Sequence, residues 1–359
     1  MRNIYPKLVE MHKKGRLSVL ATIIKQSGPS PRGIGTKCLI FDDGSFAGTV
    51  GGGVVEARTL QEAKKVFEKP LPVCIEFSLK GTDVADTDML CGGDVAVFLE
   101  PVSPKSQIHL MVFQKAKKTA DQGGTGLLAT VMDQQEWQGG AIPRLFMEKS
   151  GERTGSLGGM RGLEDALLER MDRILTSRVP CILPLRGRAG TQVEIFVEPV
   201  VSDPVLYVFG GGHVSRQIVP LASRVGFQVV VIDDRMDFTK VGDFPEARDV
   251  YRLRFEDVVD RLTVDELSYL VIVTRGHMHD KRVLAQALKT KAGYIGMIGS
   301  SRKRDMIYNK LLEEGFIQKD LSRVHSPIGL DIGAETPEEI AVSIVAELIK
   351  VRAGRQERW

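Results

Sequence analysis

Four cysteines in 359 residues, none at Cys-x-x-Cys spacing, give no zinc ribbon, no dithiol redox motif and no ligand set for iron–sulfur clusters. Charge of one sign is equally scarce, since 49 Lys and Arg stand against 46 Asp and Glu, for a net charge of +3. That balance supplies no field to attract nucleic acid or an anionic membrane, so neither is expected as a partner. No apolar run approaches the roughly 20 residues that span a bilayer. The stretch from Met1 to Gly15 is polar with scattered lysines and lacks the apolar centre of a secretory signal. A cytoplasmic location is the expectation, with Cys38, Cys74, Cys91 and Cys181 as free thiols.

Against these absences, the chain has an ordinary globular balance of 43% hydrophobic and 26% charged residues, so a sizeable core can be buried. Its length points to two domains or three. The first 200 or so residues repeat themselves. Leu20-Ala21-Thr22-Ile23 is matched by Leu128-Ala129-Thr130-Val131, and Gly48-Thr49-Val50-Gly51-Gly52 by Gly155-Ser156-Leu157-Gly158-Gly159. Val73-Cys74-Ile75 is matched by Pro180-Cys181-Ile182, and Phe98-Leu99-Glu100-Pro101-Val102 by Phe196-Val197-Glu198-Pro199-Val200. The expected organisation is an α+β domain over 1–203 containing a degenerate internal duplication, with units of about 1–105 and 106–203. In the first unit, a hairpin over 37–50, a helix near 54–67 and strands at 73–77 and 95–99 are predicted. The prolines of 101–106 and 199–204 suggest linkers. Cys74 and Cys181 fall at equivalent strand positions and read as buried structural thiols.

From Val205 the pattern becomes alternating strand and helix with continuously apolar strands. This predicts a second domain, 204–359, that is α/β: a Rossmann-type parallel sheet with helices on both faces. Tyr207-Val208-Phe209-Gly210-Gly211-Gly212-His213 follows a strand and opens a helix, the arrangement that presents free N–H groups and a helix dipole to a phosphate. Ser215 stands where a third glycine is usual. Asp233 ends the next strand about 20 residues on, where an acid would bond a ribose hydroxyl. Arg235 beside it suits a 2′-phosphate, so NAD and NADP are not separable. Gly210, Gly211, Gly212, His213 and Asp233 are therefore candidate cofactor-binding residues.

Thr274-Arg275-Gly276-His277-Met278-His279-Asp280 lies at the carboxyl end of a predicted strand, the edge at which open α/β sheets bind ligands. Its His and Asp side chains suit metal ligation or proton transfer, with His277 and Asp280 the catalytic candidates; a reading with one ligand-facing and one solvated histidine is equally open, and Asp280 also suits a cap on the next helix. Gly299-Ser300-Ser301-Arg302-Lys303-Arg304 is a second strand end opening a helix, and Arg302 and Arg304 are candidate anion ligands there. In the first unit Cys91, flanked by Gly92 and Gly93, lies in a stretch that the second unit lacks. Ser30-Pro31-Arg32 and the triple glycine Gly51-Gly52-Gly53 also occur in full only there. The asymmetry suggests that the first unit keeps a site, with Cys91 as its reactive thiol, and the second keeps mainly the fold.

Ser30-Pro31-Arg32, Gly48 to Ala57 and Cys91-Gly92-Gly93 with Phe98 to Pro101 resemble the N-terminal domain of the XdhC/CoxI family. Phe209 to Arg216, Asp233-Asp234-Arg235, Phe244 to Ala247, Thr274 to Asp280, Ile298 to Arg304 and Pro327 to Ala341 resemble that family's Rossmann domain. The resemblance spans nearly the whole chain. It implies a molybdenum cofactor chaperone for xanthine dehydrogenase maturation, not the hydroxylase itself. Such proteins bind the molybdopterin cofactor as cargo, meet a cysteine desulfurase that supplies a sulfido ligand, and deliver the product to xanthine dehydrogenase or a related molybdenum hydroxylase. Cys91 fits the family's cysteine and is the candidate molybdenum contact. The alternative is an NAD(P)-dependent oxidoreductase using the Rossmann domain, with His277 or His279 as acid and base. Whether the chain forms a homodimer is open on the sequence.

Overall fold

The computed structural model describes residues 4–78, 93–104, 106–137, 142–187, 191–238 and 241–354. They divide at Ser202/Asp203 into two compact bodies.

The first body holds two series of elements. One runs α1 (Tyr5–Lys13), β1 (Ser18–Ser27), β2 (Lys37–Phe41), β3 (Phe46–Gly48), α2 (Gly53–Glu68), β4 (Val73–Ser78) and β5 (Asp94–Val102). The other runs α3 (Gln107–Asp121), β6 (Gly126–Val131), β7 (Arg144–Glu148), β8 (Arg153–Ser156), α4 (Arg161–Ser177), β9 (Cys181–Arg186) and β10 (Gln192–Val200). Each series builds one antiparallel sheet, in the orders β3-β2-β1-β5-β4 and β8-β7-β6-β10-β9. The registers agree as well: Thr22 faces Lys37 and Phe98, as Thr130 faces Arg144 and Phe196. Gly48 and Gly155 both have positive φ, and a Cβ on them would lie 2.5 and 2.3 Å from the carbonyl oxygens of Lys37 and Arg144. Both positions therefore demand glycine for the same reason.

Alternation along the strands sets the layers. In β1, Val19, Ala21 and Ile23 pack toward α2, while Leu20 and Ile24 join cores shared with the other sheet. The second sheet likewise packs Leu127, Ala129 and Val131 against α4, and Leu128 on the shared side. Because β1 is covered on both faces, it reads as a near-continuous apolar run.

Two expectations need correction. Pro101 and Pro199 are not linker residues: they lie within β5 and β10 and pair with Val19 and Leu127. The neighbouring edge strands pair no further than Leu99 and Val197, so these prolines sit where the sheet continues on one side only and a missing N–H leaves no gap. Nor are Cys74 and Cys181 buried. Cys74 is exposed and Cys181 half-buried, because β4 and β9 are edge strands and these positions turn away from the core.

The second body runs β11 (Val205–Phe209), α5 (His213–Arg224), β12 (Gln228–Asp233), β13 (Asp249–Arg252), β14 (Ser268–Ile272), α6 (His277–Ala287), β15 (Tyr294–Met297), α7 (Ser301–Glu313), α8 (Gln318–Leu321), β16 (Val324–His325) and α9 (Pro337–Gly354). All six strands are parallel, in the order β13-β12-β11-β14-β15-β16. Helices α6, α7 and α8 cover one face, and α5 and α9 the other. The strand order reverses between β11 and β14, so the crevice for a ligand opens between the loops that follow them. Helix α6 begins at His277, immediately after Gly276, whose φ of 84° turns the chain from the loop after β14 into the helix. Edge strands β13 and β16 are short and partly exposed, and carry no apolar signal.

Candidate functional site

The glycine loop is fixed from three sides. Gly210 donates its N–H to the Ile232 carbonyl at 2.7 Å, and a Cβ on it would lie 2.5 Å from the Val273 carbonyl oxygen. Gly211 donates to Asp233 Oδ2 at 2.8 Å, and a Cβ there would lie 2.1 Å from the Phe238 carbonyl oxygen. Gly212, by contrast, is an extended residue at the start of α5 with nothing within 4 Å of its missing Cβ. Ser215 is buried and donates its hydroxyl to the Gly210 carbonyl, so it closes the strand–helix packing in the place of a third glycine. His213 is exposed on the first turn of the helix.

Asp233 is buried and bonded by Arg235, whose backbone N–H and Nε reach Oδ1 at 2.9 and 3.0 Å and whose Nη2 reaches Oδ2 at 2.9 Å. Burial pushes the Asp233 carboxyl up, but these donors and the Gly211 N–H outweigh it and hold the group below the usual carboxylate range. The Arg235 guanidinium also lies 3.6 Å above the Phe238 ring. Asp234 accepts from Arg275 at 2.9 Å, which ties the loop after β12 to the loop after β14 across the switch point.

Within the latter loop the polar residues separate. Thr274 donates to Asp280 Oδ1 at 2.6 Å, and Lys303 of α7 approaches Asp280 Oδ2 at 2.5 Å. Asp280 is fully buried in the first turn of α6 and caps nothing; its burial raises the carboxyl against the pull of Lys303 and Thr274. His277 is exposed, and His279 leans on the Phe255 ring at 5.4 Å between centroids. The three residues thus do not converge, and among the described residues no three His, Cys, Asp or Glu side chains gather as a metal site. Arg302 is exposed, whereas Arg304 is held by the Ser326 carbonyl at 3.2 Å. Both lie at the end of β15, two strands from the glycine loop.

In the first body, the stretch 27–32 touches two glycines that are distant in sequence. Gly51 lies against Pro31 and Arg32, at 3.4 and 3.8 Å from its missing Cβ. A Cβ on Gly93 would lie 2.5 Å from the Ser27 carbonyl and 2.4 Å from the Pro29 carbonyl. Gly51, Gly52 and Gly53 all have positive φ, so the full triplet is needed to lead into α2; at the matching place in the second unit only Gly158 and Gly159 do. Cys91 and Gly92 lie outside the described residues, two and one positions before Gly93.

The sequence reading missed two polar clusters. Lys37 pairs with Glu198 at 2.6 Å and Arg144 with Glu100 at 2.8 Å, around a cavity of about 10 Å³ between the two sheets that Thr22 and Thr130 also line. The signal was present, since Lys37 and Arg144, like Glu100 and Glu198, occupy matched positions of the repeat. In the second body Glu347 accepts from Tyr294 and from the Gly329 N–H at 3.0 Å, and lies 3.1 Å from His325 Nδ1.

These features define a class: an α/β protein whose Rossmann body, with its glycine loop at the switch point, follows a body of two like-ordered sheets. Residues 206–348 match the model of the XdhC Rossmann domain, and residues 11–77 match that of the XdhC and CoxI family. The chain belongs to the XdhC and CoxI family. It is 25% identical to a probable xanthine dehydrogenase subunit of Bacillus subtilis over 98% of both chains. It is 21% identical to the molybdenum cofactor insertion chaperone PaoD of Escherichia coli, over 99% of this chain and 90% of that one. A match to the uncharacterized protein YqeB of Escherichia coli, 26% identical, covers 67% of this chain but only 46% of that longer relative. A crystal structure described as a xanthine dehydrogenase from Bacillus halodurans shares the fold, with a TM-score of 0.77 over 98% of this chain and 97% of that one, at 24% identity. Among the described residues no helix is long and apolar enough to cross a membrane.

Proposed function

We propose that this protein is a cytoplasmic chaperone of the molybdenum cofactor, which it holds for sulfuration and inserts into a molybdenum hydroxylase of the xanthine dehydrogenase type. The observation that carries the reading is that the stretch 27–32 of the first unit touches both Gly51, through Pro31 and Arg32, and Gly93, which follows Cys91 by two positions in the sequence; the second unit has no full counterpart of these motifs. The relative named as a molybdenum cofactor insertion chaperone, matched along nearly the whole chain, supports the same cargo. A thiolate is a soft ligand suited to molybdenum or to the relay of sulfur, and Cys91 is the residue proposed for that end. The phosphate end calls for free N–H groups at a helix start. The open Gly212, with exposed His213, offers one such place, and the turn before Arg302 another. The partners in this reading are the client hydroxylase and a cysteine desulfurase.

The test is reconstitution. Apo-hydroxylase, released cofactor, cysteine and a desulfurase are mixed with and without the protein, and hydroxylase turnover is read. The proposal expects turnover to depend on the protein and to fall with Cys91→Ala. Equal turnover without the protein refutes it.

A further inference from the structure

We infer that this Rossmann body does not accept a nicotinamide dinucleotide, because the place of the ribose is filled by its own segment Arg235 to Phe238, with Arg235 as the residue that closes it. In a dinucleotide-binding Rossmann domain the acid at the end of the second strand accepts hydrogen bonds from the ribose, and the glycine loop lies open to the pyrophosphate. Asp233 has the right place in the chain and the wrong neighbours. Its Oδ1 accepts from the Arg235 backbone N–H and Nε, and its Oδ2 from the Gly211 N–H and Arg235 Nη2. A carboxylate offers about four acceptor positions, and four donors already use them. A ribose hydroxyl reaches Asp233 only by displacing a guanidinium bound through two of its nitrogens, the stronger kind of hydrogen bond.

A second contact seats the same segment on the glycine loop. The Phe238 carbonyl oxygen packs directly over Gly211, where even a methyl group would lie 2.1 Å from it. The Phe238 ring in turn supports the Arg235 guanidinium from 3.6 Å. The nicotinamide cofactor that the fold alone suggests does not fit these residues. Asp233 instead acts as an internal clamp that shapes the glycine loop. This inference does not rest on the chaperone proposal, and its test does not read molybdenum.

The test is titration of NAD⁺, NADH and NADP⁺ into the full-length protein by calorimetry, with circular dichroism as the check on folding. For the wild type the inference expects no binding tighter than about 1 mM. Arg235→Ala frees Asp233, and NAD⁺ should then bind at least about tenfold more tightly than to the wild type. Adding Asp233→Asn to that variant should remove the gain. Should Arg235→Ala misfold, Phe238→Ala, which removes the ring beneath the guanidinium, is expected to give a smaller gain of the same sign. Wild-type binding of any of the three dinucleotides tighter than about 1 mM overturns the inference. So does a folded Arg235→Ala, or Phe238→Ala in its place, that binds no better than the wild type.

Discussion

Arg144 Nη2 lies 2.8 Å from both carboxylate oxygens of Glu100, and both side chains are almost completely buried. The arrangement is reciprocal: the cation of the second series meets the carboxylate of the first, while Lys37 of the first meets Glu198 of the second. Such exchange of equivalent partners is the pattern of a twofold interface, here within one chain. Removing one partner strands the other charge in the core. Arg144→Ala is expected to cost about 3–5 kcal/mol in urea denaturation, whereas an Arg144→Met/Glu100→Leu pair should recover most of that loss.

The glycine loop gives a contrast between adjacent residues. Gly211→Ala drives a methyl group into the Phe238 carbonyl and is expected to destabilise the second body by roughly 1–3 kcal/mol. Gly212→Ala meets open space at an ordinary extended φ and should leave thermal unfolding unchanged. Calorimetric melting of the two variants reads the difference.

Glu347 sets a pH dependence. Burial pushes its carboxyl up, but His325, Tyr294 and the Gly329 N–H bring it below the usual carboxylate range. A carboxyl lowered by folding adds stability above its unfolded pKa, and that stability is lost as pH falls through its folded pKa. Glu347→Gln should therefore cost about 2 kcal/mol near neutral pH, and the gap to the wild type should narrow as acid protonates the wild-type group. Urea midpoints from neutral pH down to below the carboxylate range measure it.

The thiols should differ in reactivity. Burial, then the charge of Glu56, pushes the Cys38 thiol up to about 12, so it stays protonated at neutral pH. Cys74 is exposed on its edge strand. Maleimide labelling of the native protein at neutral pH, read by peptide mapping, should modify Cys74 and leave Cys38 untouched until denaturant is added.

Much of this was legible in the residues. The strands Leu206 to Phe209 and Gln228 to Asp233 announce themselves because a parallel sheet covered on both faces needs continuous apolar runs. The two sheets of the first body were readable from repeated segments, since equal registers demand equal residues at Thr22 and Thr130 or Gly48 and Gly155. Pairing between the repeats was hidden: nothing local in Lys37 says that its partner is Glu198. The same blindness affected Asp233, whose position suggests a ribose acceptor while its actual partner, Arg235, is a neighbour that the motif does not specify. Asp280 looked like a cap until Gly276 placed it inside the helix. Short edge strands escaped notice because two to four partly exposed residues carry no periodicity.

The most direct test of the proposed function is co-elution of molybdenum and pterin with the full-length protein after incubation with released cofactor, followed by gel filtration and metal analysis. The account predicts cofactor bound in proportion to protein by the wild type, and weakened by Cys91→Ala. Elution of the protein free of both molybdenum and pterin would contradict it.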